Sequence, residues 1–261
     1  MSNTKGEEVK GWTWVDKWVM ITGAGSGLGR ELAVQLAGKG VEGLCLADVA
    51  EEGLQTTRGL CGGGVKVVTK VFDVRDARAF EEAVKGLPRL DVLYNNAGVL
   101  EGAFSFGELS AADVQRIVDV DLTSVLCGTA IALRAMGERG GVVVNTASMA
   151  ALLPTPAAPV YAASKSAVAH FTRSLAYLHP SRNVRVLAVC PSYTETPMVF
   201  ASADPARLQE MRQEVGGRLL LPSEVVHGMI DIVQSAPGGS LMRITVRGGQ
   251  DYWPRPRQAR L

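Results

Sequence analysis

Short, near-continuously apolar runs alternate along the chain with longer segments whose apolar residues recur every three or four positions. The runs are "KWVMIT", "GLCLAD", "VKVVTKVFD", "DVLYNN", "GVVVNTAS", "VRVLAVCPS" and "SLMRITVRGG". Strands covered on both faces read this way. The periodic segments are "LGRELAVQLAGKG", "DARAFEEAVKGL", "SAADVQRIVDVDLTSVLCGTAIALRAMGERG" and "AAPVYAASKSAVAHFTRSLAYLH", several of them ending near Gly or Pro. They predict amphipathic helices. The alternation predicts βαβ units: a doubly wound α/β sheet of about seven parallel strands in a single domain spanning residues 1–261.

No repeat and no Gly-, Ser- or Pro-rich linker divides the chain. The pattern is weakest over residues 194–221, which carry Pro197 and Pro205. This segment is expected to form a long loop with one short helix, and long excursions often cover a site. Residues 250–261, ending "WPRPRQARL", are expected to be a basic, solvated tail.

Composition narrows the function. Twenty-seven Lys and Arg against 26 Asp and Glu leave a net charge of +1, with 47% hydrophobic residues. That balance suggests no nucleic-acid partner, acidic tail or membrane surface. The polar start "MSNTKGEEVKGWTW" lacks the apolar core of a secretory signal. Cys45, Cys61, Cys127 and Cys190 are scattered without a CxxC pair. Buried free thiols in a reducing, cytoplasmic compartment are expected. His170, His179 and His227 have no ligand-like spacing, so no metal is expected.

The first strand runs into a glycine cluster and then a helix, "MITGAGSGLGRELAVQLAG". Glycines allow a tight turn and close backbone approach to a pyrophosphate, which the helix N-terminus then favours. The G-x-G-x-x-G spacing fails, because its third glycine falls on Leu28 or Arg30. Thr22-Gly23-x-x-x-Gly27-x-Gly29 fits instead. Asp48 ends the second strand, about 20 residues past the turn, where a carboxylate binds ribose hydroxyls and repels a 2′-phosphate. No basic residue stands at Ser26 or Val49 to offset it, so NAD is expected over NADP. Asp48 could also cap the helix beginning in "VAEEGLQ".

With "TGAGSGLG", Asp48, Asp73–Val74, "NNAG" at Asn95–Gly98, Ser148, "YAASK" from Tyr161 to Lys165 and "PSYTETP" from Pro191, the chain resembles the short-chain dehydrogenase/reductase family. Its general look is similar to the NAD-dependent alcohol and hydroxyprostaglandin dehydrogenases. The resemblance implies a Rossmann fold, an NAD(H)-dependent oxidoreductase, and a homodimer or homotetramer. It implies dinucleotide contacts from Gly23, Ser26, Gly27, Leu28 and Gly29. Asp73 and Val74 would meet the adenine, and "NNAG", with Asn95, Ala97 and Gly98, would lie beside the adenosine ribose and support the sheet centre. Pro191, Thr194 and Thr196 would border the nicotinamide. Tyr161 would move the proton, and Lys165 would tune it and bind the nicotinamide ribose. Ser148 would donate to the substrate oxygen.

The chemistry is coherent. A free tyrosine has a pKa of about 10 and is a poor base at neutral pH. A nearby ammonium favours the phenolate, and tuning toward working pH serves acid–base catalysis. Tyr161 and Lys165, at i and i+4, share one helix face.

Two positions depart from the family pattern. Asp121 stands where an asparagine is usual in the long fourth helix, and would add negative charge near Lys165. A working enzyme with an altered pH profile is expected. Ser192 replaces a glycine after Pro191 and narrows the space near the substrate. The substrate pocket is expected to use Met149, Leu152, Leu153, Tyr193, Met198, Val199 and Phe200, with Val99 and Leu100 opposite and no Arg or Lys to grip a carboxylate. An apolar or aromatic secondary alcohol, or its ketone, is the expected substrate. The rival reading is a non-catalytic NAD-binding sensor or scaffold that retained the fold.

Overall fold

The computed structural model describes residues 12–101 and 106–254. The chain alternates strand and helix through β1 (Trp18–Thr22), α1 (Gly27–Ala37), β2 (Gly43–Asp48), α2 (Glu51–Leu60), β3 (Lys66–Val71), α3 (Ala77–Lys85) and β4 (Val92–Asn95). It continues through α4 (Ala111–Val118), α5 (Ser124–Met136), β5 (Gly141–Thr146), α6 (Pro159–Ser174), α7 (Leu178–Arg182) and β6 (Val184–Pro191). The last part holds α8 (Pro197–Ser202), α9 (Pro205–Val215), α10 (Pro222–Ser235), β7 (Leu241–Thr245) and β8 (Gly249–Trp253).

The strands form one sheet in the order β3-β2-β1-β4-β5-β6-β7-β8. Each predicted run supplies a strand, and these seven pair in parallel. Successive side chains of a strand face opposite ways, and the core divides accordingly. Val19, Ile21, Leu44 and Tyr94 pack with Leu32 and Leu36 of α1 and Met229 and Ile232 of α10. Met20, Cys45, Leu93 and Val143 pack on the other face with Phe80 of α3 and Ile131 and Met136 of α5. Strand order reverses between β1 and β4, and open parallel sheets bind ligands at the carboxyl edge of such a point.

The eighth strand corrects one expectation. Residues 250–253, expected to begin a solvated tail, pair antiparallel with β7 as part of β8. Gly249 turns the chain at φ +61°, Asp251 pairs with Arg243, and Tyr252 packs against the core. Residues 255–261 of the expected tail lie outside the described residues.

Two further elements depart from the sequence reading. The long fourth helix is interrupted at Asp119–Thr123 by one wide π-helical turn joining α4 to α5. Such widened turns concentrate at functional sites. Residues 194–221 hold two helices, α8 and α9, instead of one. The ends of this excursion are stitched together: Leu220 donates to the Tyr193 carbonyl and Glu195 to that of Leu220, both at 2.9 Å. Among the described residues, no helix is long and apolar enough to cross a membrane.

Candidate active site

A cleft of about 1020 Å³ opens at the carboxyl edge of β1, β2, β4, β5 and β6. Its first wall is the glycine turn. Gly23 and Gly27 adopt φ of +66° and +49°, which L side chains rarely take. A Cβ on Gly23 would meet the Ala97 Cα at 2.8 Å. Gly23, Ser26, Gly27 and Leu28 line the cleft. Ser26 caps α1 without a side-chain hydrogen bond, and no acidic residue occupies the first turn. That helix end is therefore free to favour an anion. Gly29 does not line the cleft; it packs so closely on Gly23 that a Cβ there would overlap the Gly23 carbonyl. Its absence from the wall corrects its expected contact role.

Asp48 lines the cleft at the end of β2. Its Oδ2 accepts from the Gly25 amide and its Oδ1 from the Ala50 amide, both at 2.9 Å. The N-cap of α2 is Ala50, so the expected capping role of Asp48 becomes a turn contact just outside the helix. Asp73 and Val74 also line the cleft. Arg75 grips the Asp73 carboxylate through Nη2 at 2.6 Å and Nε at 2.9 Å, which holds that carboxyl below its ordinary pKa. Arg75 lines the same wall, but this pairing neutralises it.

Asn95 does not line the cleft and instead serves the sheet centre, the second role expected of "NNAG". Its amide donates to Asn145 Oδ1 at 2.9 Å and to Thr129 Oγ1 at 3.2 Å, deep beneath the sheet edge. Asn96 lines the cleft instead, with Ala97 and Gly98. Its side chain donates to the Thr22 carbonyl at 3.0 Å, and the Thr22 hydroxyl accepts from the Asn96 and Ala97 amides. Pro191, Thr194 and Thr196 border the cleft beyond β6, where the Thr194 hydroxyl donates to the Ser192 carbonyl.

Ser148, Tyr161 and Lys165 converge on this cleft. Ser148 ends the segment after β5, and its hydroxyl accepts from the Ala150 amide at 3.1 Å. Tyr161 and Lys165 lie on one face of α6. The Lys165 ammonium sits 5.4 Å from the Tyr161 ring centroid and donates to the Thr146 carbonyl at 3.0 Å. Burial pushes the Tyr161 phenol above its ordinary pKa; Lys165 and the Ser148 hydroxyl pull it down, and Asp121 pushes it up.

Asp121 stands behind these groups without lining the cleft. The widened turn carries its carboxylate into the interior, with no exposed surface. Its Oδ1 accepts from the Val99 amide at 3.0 Å and lies 3.5 Å from Lys165 Nζ. Its Oδ2 is buried without a partner. Burial raises the Asp121 carboxyl, against the attraction of Lys165.

Sequence reasoning missed Glu101. It is 3% exposed, and its carboxylate accepts from the Val160 amide at 2.6 Å and the Tyr161 amide at 3.4 Å. The helix that carries Tyr161 has no cap from its own Ala158 side chain, and Glu101 supplies one from a distant strand end. A local sequence signal does not exist for a cap 59 residues away.

Of the residues expected in the substrate pocket, Met149, Tyr193, Met198, Leu153, Val199, Val99 and Leu100 line the cleft, while Leu152 and Phe200 do not. Leu152 packs inward beside Val168 and Ala188, and Phe200 is exposed. Arg207 of α9 also lines it, a basic side chain that the sequence reading did not place there. It is held by Glu214 at 2.8 Å and Glu210 at 3.0 Å.

A glycine turn, an acidic second-strand end and a Ser–Tyr–Lys constellation at one crevice define a dinucleotide-dependent oxidoreductase. The family model described as short chain dehydrogenase matches residues 17–206. Cis-4-hydroxycyclohexanecarboxylate dehydrogenase of Sinomonas cyclohexanicum is 34% identical, covering 87% of this chain and 92% of that protein. The human 15-hydroxyprostaglandin dehydrogenase [NAD(+)] is 30% identical, covering 94% and 97%. The crystal structure of levodione reductase superposes with a TM-score of 0.81 at 30% identity, over 89% of this chain and 97% of that one. The chain belongs to the short-chain dehydrogenase family, and it is an oxidoreductase that interconverts an alcohol and a ketone.

Proposed function

We propose that this protein uses NAD(H) to oxidise an apolar or aromatic secondary alcohol, or to reduce the matching ketone. The observation that carries this reading is the convergence of Tyr161, Lys165 and Ser148 on a cleft whose other end is Asp48. The residues fit a dinucleotide. The glycine turn leaves room where a Cβ would meet Ala97, and the uncapped N-terminus of α1 suits a pyrophosphate. Gly23, Ser26, Gly27 and Leu28 would hold the phosphates. Asp48 would take the adenosine ribose, with Asn96, Ala97 and Gly98 beside it. A 2′-phosphate would meet the Asp48 carboxylate, while Arg75 on the same wall is paired with Asp73. The human relative named for NAD(+) supports the same cofactor.

When bound, the nicotinamide supplies the hydride acceptor or donor. Tyr161 takes the alcohol proton, or returns one to the carbonyl oxygen. Lys165 favours the phenolate by charge, against the burial that raises the phenol, and is itself fixed by the Thr146 carbonyl and Asp121. Ser148 donates to the substrate oxygen. General acid–base transfer of this kind supplies roughly 10²–10⁴-fold in rate, and one aimed donor about 10²–10³-fold. Free cysteines among the described residues support a reducing, cytoplasmic setting. Membership of a family that is commonly multimeric supports a homo-oligomer.

The test follows NADH and NADPH absorbance with a panel of lipophilic alcohols and ketones, beside Tyr161→Phe. Expected is NAD(H)-dependent turnover that the variant loses while it still binds NADH. Binding of NADH without turnover on any member of the panel would sink the enzymatic reading. A preference for NADPH would sink the cofactor assignment.

A further inference from the structure

The substrate end of the cleft is not uniformly apolar. Helix α9 presents Arg207, Met211, Glu214 and Val215 to it, at the i, i+4, i+7 and i+8 spacing of a single helix face. Beside Glu214 stands the Tyr193 hydroxyl, 3.5 Å from Arg207 Nη2. Asp204 joins the wall and accepts from the Arg207 amide at 2.8 Å.

The charges do not balance. Arg207 is already committed to Glu214 and Glu210, and Asp204 adds a third carboxylate. A substrate carboxylate arriving here would have to displace an existing partner of Arg207 and lie beside the remaining acids. A hydroxyl would find acceptors, in Glu214 and the phenolic oxygen of Tyr193. Burial, reinforced by Glu214, raises the Tyr193 pKa, so its hydroxyl remains protonated at neutral pH. Met149, Met198 and Val199 line the same cleft, which suits an apolar spacer.

We propose that Tyr193, Arg207 and Glu214 form a distal polar subsite that takes an uncharged hydroxyl on the substrate's remote end and excludes a carboxylate there. This rests on the oxidoreductase reading above and narrows its substrate class to secondary alcohols with a second, distal hydroxyl, joined by an apolar spacer. A site built to hydrogen-bond a hydroxyl discriminates strongly against analogues that lack it.

The probes are linear methyl carbinols of increasing length, each ending in a hydroxyl, a methyl or a carboxylate. Steady-state kcat/KM is measured with NAD for the native protein, Glu214→Gln and Tyr193→Phe. At the length that reaches α9, the hydroxyl-ended probe is expected to exceed the methyl-ended one about tenfold or more, equivalent to about 1.4 kcal/mol. The carboxylate-ended probe is expected to fall below both. Glu214→Gln should narrow the hydroxyl-to-carboxylate ratio about tenfold, and Tyr193→Phe should shrink the hydroxyl preference while sparing the methyl-ended probe.

Carboxylate-ended probes matching the hydroxyl-ended ones at every length would overturn the proposal. So would a ratio unmoved by Glu214→Gln. If the methyl-ended probes show no turnover, the oxidoreductase reading fails separately. Thermal-shift titration of the intact protein with the three probe types then decides the subsite: stabilisation by the hydroxyl-ended series alone supports it, and equal or greater stabilisation by the carboxylates overturns it.

Discussion

The Asp121 carboxylate lies 3.5 Å from the Lys165 ammonium, with both side chains withdrawn from solvent. Removing charge from one member therefore changes what the other does to Tyr161. Asp121 raises the Tyr161 phenol and Lys165 lowers it, so Asp121→Asn removes an upward push. The Asn oxygen retains an acceptor for the Val99 amide. The phenol's pKa falls, and the form that accepts a proton is reached at lower pH. The rising limb of kcat against pH for alcohol oxidation is expected to move toward acid in the variant. Superimposable profiles would remove Asp121 from control of the site.

Glu101 predicts a loss of a different kind. Its carboxylate satisfies two amides at the start of α6, and a lost cap costs about 0.5–2 kcal/mol. Glu101→Ala is expected to lower unfolding free energy by about 2 kcal/mol, since the amides are left buried. Glu101→Gln, which keeps one acceptor, should lose less. Chemical denaturation of the three proteins measures this, and equal stabilities would refute the capping role.

Gly29→Ala tests the fit of helix to turn. The added methyl overlaps the Gly23 carbonyl, and overpacking of this kind costs about 1–3 kcal/mol. The displaced oxygen belongs to the turn itself, so NADH affinity should fall about tenfold or more, in proportion to 1.4 kcal/mol per decade. Native-like NADH binding in the variant, read by fluorescence titration, would contradict it.

Glu224 gives a pH dependence of stability. Arg218 and the Leu221 amide hold its carboxyl down to about 2, from an ordinary 4.5. A lowered folded-state value means that stabilisation is present above the unfolded pKa and is lost as pH falls through the folded one. Stability from this pair should therefore decline between 4.5 and about 2. The site is exposed and screened, so the whole effect is expected at or below ~1 kcal/mol. Glu224→Gln should lose that increment near neutral pH and show a flatter acid limb; an unchanged midpoint at every pH would exclude it.

The sheet's seven parallel strands were legible because continuous apolar runs have few other uses. The site was less so at points where facing matters. "NNAG" contains two asparagines, and period-two alternation sends Asn95 into the interior and Asn96 toward the cleft; composition alone does not say which. β8 escaped notice because an edge strand needs only one buried face, here met by Tyr252, and because its Asp251 finds Arg243 only after the chain turns back. Arg207 lay in a segment without a strong apolar period, and its neutralisation by Glu210 and Glu214 follows from helix geometry. Glu101 reaches α6 only through tertiary folding.

That last contact has a mechanical meaning. Strand β4 ends in the segment running from Asn96 to Glu101, and the buried carboxylate at its far end is tethered to the peptide of Tyr161 itself. The two banks of the crevice are thus joined twice: Glu101 holds the amides that begin α6, and Asp121 ties the Val99 amide to the Lys165 ammonium.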